Sequence, residues 1–428
     1  MAVVATDVTN LIKTYYRGPL HDSIGDRNLW WNRVVNNRSI ARKVDWAAQT
    51  ITWSPLVEAG HGVGHRGANE YLPEGSPFTT SIASTGISRF YGTMSVDGLI
   101  EHIIAGNNEA AFGDYIKLQM QTIEDQMAFF LNFAMHGDGT GIVARINGAS
   151  SGTTWTLSHP WETVGGTPDY AFGATQFLEH LNTPVVVLDG TTFAYKGART
   201  ISTIDWDNQQ VTIPTALTVA DNDVLVLGDA NGYDYNNSPS GFRAFVANSG
   251  TVFNLAVSRR WGSHILNTTA TPVAYEWDHL YRVAKVLGRN RMSGKSDCVV
   301  AVHPAICREH RDLYENDVRY TSRQFKYEKG QETPCIYVDG KKIELMEDPY
   351  LGYQEILGVN TKSMWVNEIR ALDLDRNGGE FKTLQGKDAR YAFWKLYYGI
   401  GADKLNDFAR FDGVTVDTSY VDLLHENL

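Results

Sequence analysis

Apolar positions change their period several times along the 428 residues, and each change marks an element. Between about Asn108 and Met135 they fall at Ile116, Met120, Ile123, Met127, Phe130 and Ala134, while Lys117, Gln121, Glu124 and Asp125 lie elsewhere on the wheel. That spacing predicts one helix of about 28 residues, roughly 42 Å long and well beyond the usual three to four turns. Upstream, alternation appears over Gln49–Trp53 and again over Ile87–Met94, separated by a stretch rich in Gly, Ser, Thr and Pro. Two strands joined by a long polar tip predict an extended hairpin, which is marginal alone and needs a partner. Residues 1 to 50 carry scattered Tyr15, Tyr16, Trp30, Trp31 and Trp46 with little periodicity. Such large apolar groups need a surface to cover, on their own domain or on a neighbour.

After the long helix the pattern shortens. Thr153–Leu157, Pro184–Leu188, Arg199–Ile204, Gln210–Ile213 and Val224–Leu227 are β-rich runs separated by Asp- and Asn-rich turns, which predicts a small all-β domain over 142–245. Helical periodicity returns over Tyr275–Leu287, followed by the apolar strand Cys298–Val302 and a helix opened by Pro304, an α/β layer. Further strands are expected at 335–338, 342–346, 364–366 and 392–398.

The stretch MHGDGTG, residues 135–141, closes the long helix and has the look of a ligand loop. Phosphate loops, however, place their glycines before a helix, where N–H groups point at the anion; here they follow one, where carbonyls are exposed. The segment therefore reads as a helix stop built from Gly137, Asp138 and Gly139. Gly137 is expected in the left-handed conformation, Asp138 closing the next turn onto backbone N–H groups, and His136 facing the negative end of the helix dipole.

Charge narrows the function classes. Lys and Arg number 38 against 49 Asp and Glu, a net charge of -11, with no basic block, so tight wrapping of nucleic acid by a cationic face is not expected. Three cysteines are too few and odd in number for a disulfide framework, which points to a reducing compartment. The first residues lack the pattern of a signal peptide, and no apolar run reaches membrane-spanning length, so a soluble protein without membrane association is expected.

Candidate chemistry is thin. His303, Cys307 and His310 share a helical face but offer no fourth ligand with the spacing of a closed zinc site. Asp373, Asp375, Asn377 and Gly378 imitate the opening of a calcium loop, yet its twelfth position is Leu384 where a bidentate glutamate belongs. His61 and His65 sit among glycines with no strand-to-helix context, and no nucleophile elbow occurs. No catalytic, metal or cofactor residue is assigned.

The order of features carries more than any one of them. An aromatic arm, a hairpin with the tip HRGANEYLPEGSPF (His65 to Phe78), the segment YGTMSVDGLI (Tyr91 to Ile100) and a spine helix ending in GDGTG together resemble the major capsid proteins of tailed double-stranded DNA bacteriophages, whose shared fold is the Hong Kong 97 type. The likeness continues through Ile201–Asp229, through SGFRAFVANSG (Ser240 to Gly250) and through the helix–strand–helix run.

The resemblance implies an α+β fold divided into an N-terminal arm (1–50), an extended loop hairpin (51–95), a peripheral domain with the spine helix (96–141), a β-rich insertion domain (142–245), a return to the peripheral domain (246–275), an axial domain (276–385) and C-terminal strands shared between the last two (386–428). It implies no enzyme but a virion protein, assembled in the host cytoplasm into pentamers and hexamers of an icosahedral shell that encloses DNA without reading its sequence. Functional residues are then interface residues, and Trp30, Trp31, Glu58, Arg66, Glu70, Tyr71 and Glu74 are the candidates. No lysine lies between Val44 and Lys117, so the lysine crosslink of the fold's founding member has no candidate in this loop. No long charged helical segment precedes the arm, which implies a separate scaffolding protein beside a portal protein and a possible decoration protein. Two alternatives stand: an encapsulin-type compartment of the same fold, told apart by its contents, and a multidomain carbohydrate-active hydrolase using a carboxylate pair, told apart by its small size in solution.

Overall fold

The computed structural model describes residues 30–34, 42–58, 60, 62–66, 70–97, 109–158, 160, 183–205, 208–267, 273–289, 297–315, 335–338, 341–348, 350–352, 354–375, 382–383 and 389–415. Its longest helix, the spine, runs over Glu109–His136, 28 residues, as the apolar period predicts. Met120, Met127, Leu131 and Met135 turn one stripe of it into the main core. That stripe lies on a four-stranded sheet in which the long strand Ala389–Ala402 pairs with Met364–Leu374, Lys382–Thr383 and Ser88–Asp97. The helix approaches so closely that a Cβ on Gly92 would stand 2.5 Å from the Met127 sulfur. Toward its C-terminus the helix is buried all round, and Phe133 faces a second core. Glu124, expected on the polar side, is buried as well.

The hairpin exists, with a different second arm from the one expected. Thr50–Trp53 pairs antiparallel with Ala83–Gly86, and Leu56–Glu58 with Thr79–Thr80. The alternating residues Ile87–Met94 leave the hairpin: Ser88–Asp97 pairs with Ala389–Ala402 beneath the spine helix. Alternation reports a half-buried strand and is silent on which sheet accepts it.

The described strands between Ile142 and Tyr233 build an antiparallel eight-stranded sheet. Val185, Val186, Val187 and Leu188 are all fully buried because both faces of this strand are covered. Val185 and Val187 join Trp155 and Leu225 on one side, while Val186 and Leu188 join Val224 and Val226 under Phe193, Tyr233 and Tyr235 on the other. The run expected at Arg199–Ile204 is two strands, Tyr195–Thr200 and Thr203–Asp205, because Ile201 turns into the core and Ser202 bonds across to Thr212.

A six-stranded mixed sheet has Cys298–Val302 near its centre, between Lys341–Glu347 and Glu355–Asn360. The helix Trp277–Arg289 packs on it over Gly358, where a Cβ would meet Val283 at 2.6 Å. The helix Pro304–Glu315 follows the central strand, its start held by His303, whose Nδ1 accepts from the Ala305 N–H at 3.2 Å. The expected axial span 276–385 is divided between sheets: Met364–Leu374 and Lys382–Thr383 pair into the spine-helix sheet, while Phe408–Asp412 and His264–Leu266 complete this one.

The helix stop differs in one residue. Gly137 is not left-handed; its N–H still bonds to Phe133 O at 3.1 Å, and a Cβ there would find ordinary space. The left-handed positions are Gly139 (φ +93°) and Gly141 (φ +76°). Asp138 accepts from the Thr140 N–H at 2.8 Å, and the Gly137 carbonyl accepts from the Gly241 N–H at 3.0 Å, so a distant segment caps the helix. A Cβ on Gly141 would sit 2.5 Å from Asp234 O. Gly141→Ala should therefore cost about 2 kcal/mol or more, and Gly137→Ala less than about 1 kcal/mol, in urea unfolding of the unassembled protein; the reverse order would refute this stop.

Candidate assembly surface

The hairpin root is fixed by aromatic packing. Trp53 meets Trp365 edge-on at 4.9 Å and Phe253 at 5.1 Å, and its indole N–H donates to Ala402 O at 3.1 Å. Ile51 packs over Gly399, where a Cβ would be 2.5 Å from its terminal methyl. Edge-on ring contacts of this kind, with the indole N–H tied to the neighbouring strand, leave the root little freedom to pivot.

Beyond the root the hairpin leaves the body. Leu56, Val63, Tyr71, Leu72, Phe78 and Ile82 are exposed, Tyr71 at 96% and Leu72 at 86%. Glu58, Arg66, Glu70 and Glu74 are exposed here too. Arg66 braces the tip, donating to Tyr71 O at 3.1 Å and His65 O at 3.2 Å, while Glu58 accepts from the Thr79 hydroxyl at 3.4 Å. A monomer rarely leaves so many large apolar side chains on one projecting element.

Trp30 and Trp31 are placed differently from the neighbouring subunit's surface expected for them. Both are buried in this chain's own core, Trp30 against Phe242 at 4.8 Å and Trp31 against Tyr398 at 5.5 Å. The reason is a polar anchor that only the fold assembles. The Trp30 indole N–H donates to Asp348 Oδ2 at 2.7 Å, and the next turn is held by Arg33, whose guanidinium grips Glu344 at 2.6 and 3.1 Å. Asp348 also meets His136 Nε2 at 2.8 Å, and His136 Nδ1 faces Asn132 O at 2.8 Å. Both ring nitrogens thus face acceptors, so the ring is an imidazolium. Burial works against that charge, but the charge and hydrogen bond of Asp348 and the Asn132 carbonyl outweigh it and raise the His136 pKa. Burial likewise opposes ionised Asp348, and His136, the Trp30 indole and the Tyr350 N–H overcome it and lower its pKa.

The other motifs have structural surroundings. His310 Nδ1 meets the Tyr275 hydroxyl at 2.7 Å, Cys307 is buried, and His303 starts its helix. Asp375 is clasped by Lys382 and Lys395, which hold its carboxyl well below the usual range, with Arg370 at 3.6 Å; Asn377, Gly378 and Leu384 lie outside the described residues. His61 also lies outside them, and His65 is exposed on the tip. Among the described residues no group of three or more His, Cys, Asp or Glu is placed to hold a metal ion, and no helix is long and apolar enough to cross a membrane.

Sequence reasoning missed Asp348, Trp53 and the exposed Leu72, Phe78 and Ile82. The signal available for the last three was a set of large apolar residues inside a Gly- and Pro-rich tip, out of step with any period.

No protein-family model matches the chain, and no curated protein matches it. Solved structures similar to it include the Cyanophage A-1(L) capsid asymmetric unit, at 13% identity and a TM-score of 0.49 over 92% of this chain and 93% of that one. The capsid of an empty GTA particle is similar at 8% identity and a TM-score of 0.44, over 90% of this chain and 96% of that one. A holo-SrpI encapsulin complex from Synechococcus elongatus PCC 7942 is similar over 36% of this chain and 52% of that one, at 11% identity and a TM-score of 0.24.

The anchor has a pH signature. His136 is raised above its ordinary 6.5, so its contribution to stability is complete below 6.5 and is lost as pH climbs through the folded value; Asp348 is lowered from 3.8, so its contribution is complete above 3.8 and is lost as pH falls. The stability difference between the wild type and His136→Gln should be flat between those two values and shrink above 6.5. Urea unfolding across this range checks it, and a difference that grows on the alkaline side contradicts it. Asp348→Asn, which strands the imidazolium, should cost about 3–5 kcal/mol.

Proposed function

We propose that this chain is a structural shell protein, the major capsid protein of a tailed double-stranded DNA phage, which self-assembles through pentamers and hexamers into the icosahedral head. The observation that carries this reading is the hairpin: its root is packed by Trp53, Trp365 and Phe253, and its tip holds out large apolar side chains that stand exposed. Burying each of these in an interface would contribute about 1.5–3 kcal/mol, which repeated around a shell is ample. A rigid root with a sticky, projecting tip suits a protein that has to grip identical copies at a set angle.

Supporting the finer division is the sequence of described elements: an anchored segment ending the arm, a hairpin over residues 50–86, a spine helix, an antiparallel β body over 142–233 read as the insertion domain, and an α/β layer read as the axial domain. The acidic chain suits enclosure without gripping, since a strongly attractive wall would hinder packing and release of DNA. Its work is geometric and includes no catalytic step. A separate scaffolding protein, a portal and a possible decoration protein are its expected partners, and the virion, assembled in the host cytoplasm, is its place.

Electron microscopy of the purified protein tests this most directly: megadalton shells or polymers are expected, and only monomers or small closed oligomers, even with scaffold supplied, would sink it. Shells filled with cargo enzyme instead of genomic DNA would mean an encapsulin-type compartment. The double variant Tyr71→Ser/Leu72→Ser should unfold within about 0.5 kcal/mol of the wild type yet assemble about tenfold less; normal assembly would remove the tip from the interface.

A further inference from the structure

Between the spine helix, the four-stranded sheet and the segment that follows the eight-stranded sheet lies a cavity of about 220 Å³. The four-stranded sheet supplies Ser88, Phe90 and Tyr398, which register places on its helix-facing side, and the spine supplies Phe130, Phe133 and Ala134. Alternation turns Arg89 and Tyr91 to the far side, where Arg89 donates to Gln49 Oε1 at 2.8 Å and Tyr91 meets Tyr397 at 6.2 Å. The charged side chain left to the cavity is Asp234, an exposed residue at its mouth, while Ser88, Phe133 and Tyr398 form a buried floor.

Asp234 is held by its backbone. Its N–H donates to Leu227 O at 2.9 Å, its carbonyl accepts from the Asn237 N–H at 2.9 Å, and Gly141 presses against the same carbonyl. Its carboxyl takes no part in this. Asp138, Asp189, Asp205 and Asp229 each close a turn by accepting from a backbone N–H two or three residues on, whereas the Asp234 carboxyl makes no hydrogen bond or ion pair among the described residues. Although the residue is exposed along one side, burial pushes this carboxyl up to about 6. On the floor, Tyr398 is only 2% exposed, and its hydroxyl likewise has no hydrogen-bond partner among the described residues. Burial, and then the charge of Asp234, raise its pKa and keep it protonated. Desolvated polar groups without partners are costly, so a carboxyl and a hydroxyl facing one cavity mark a place where a bound group supplies the missing bonds.

We infer that this cavity binds a primary alkylammonium group, with its charge on Asp234, its remaining donors on Tyr398 and Ser88, and its alkyl chain along Phe90, Phe130 and Phe133. An ammonium carries three N–H donors, which suits a carboxylate and two hydroxyls. Its bond to the carboxylate is charge-assisted, and desolvated aromatic rings favour a cation further. A hard metal ion is poorly served, because it takes six or more oxygen ligands and these walls are mostly rings and aliphatic groups. An anion would meet Asp234. A chain of about four carbons fits a cavity of this size with room for water beside it. The site lies within one chain and is independent of the shell reading.

Calorimetric titration of the full, unassembled chain with n-butylammonium chloride tests the site, with 1-butanol and sodium chloride as controls. Saturable binding with a dissociation constant of about 1 mM is expected for butylammonium, and none for the controls. D234N should weaken it about tenfold or more, and Y398F about threefold or more. Wild-type binding should fall as pH drops through about 6, because Asp234 takes up a proton while the ammonium keeps its charge to about pH 10. Tyrosine and arginine, the other titrating types on these walls (Tyr91, Tyr398 and Arg89), do not change charge there. D234N should show no such dependence. Should D234N fail to fold, the wild-type pH profile and Y398F decide. Nα-acetyl-lysine N-methylamide separates two sources of the same group: binding equal to that of butylammonium gives the cavity to a lysine side chain, and loss of binding gives it to a free amine. No saturation up to about 20 mM, equal binding of 1-butanol, a flat wild-type pH profile, or D234N binding like the wild type would each overturn the assignment.

Discussion

Inside this protein the imidazolium of His136 and the carboxylate of Asp348 meet at 2.8 Å, with the Trp30 indole donating to the same carboxylate oxygen. Three parts of the chain converge there: the segment Trp30–Val34, the last turn of the spine helix and the residue after a strand of the six-stranded sheet. A buried charge pair is poor cement when compared with apolar packing of the same volume, but it tolerates no other arrangement, because leaving either partner alone is costly. It therefore fixes where the helix end stands relative to the sheet, and Trp30 ties its own short helix to that junction.

Close packing extends the constraint. Gly92 lets the spine helix rest on one sheet, Gly358 lets another helix rest on the second, and Gly241 lets a loop reach the carbonyls at the end of the spine. At each place a Cβ would stand between 2.4 and 2.6 Å from its neighbour, so the absence of a side chain sets the distance between layers. Helix, hairpin root and sheets thus form a closely packed frame.

Against that frame the hairpin stands apart. Its root obeys the same packing rules as the core, while its tip breaks the rule that a soluble chain covers its own large apolar groups. Chemistry found elsewhere in the chain serves architecture: Asp375 gathers three cations, His303 starts a helix and Asp138 closes a turn. The balance of charge follows the same division, with an acidic projecting tip on an acidic whole.

Elements with long, regular periods were legible from the sequence alone. The spine helix, the strand Pro184–Leu188, the strand Cys298–Val302 and the helix opened by Pro304 stand within a residue of where their spacing puts them, because backbone geometry at that scale depends on near neighbours. Asp138 as a turn-closer was legible for the same reason. What the sequence left open was partnership. The alternation of Ile87–Met94 made a strand without choosing its sheet, Trp30 and Trp31 were large groups in need of cover without an address, and Gly137 was expected in the left-handed conformation that Gly139 and Gly141 take instead. Those choices rest on contacts between residues far apart in the sequence, such as Trp30 with Asp348 and His136 with Asp348. Periodicity records which face of an element is apolar; only the folded chain decides what that face meets.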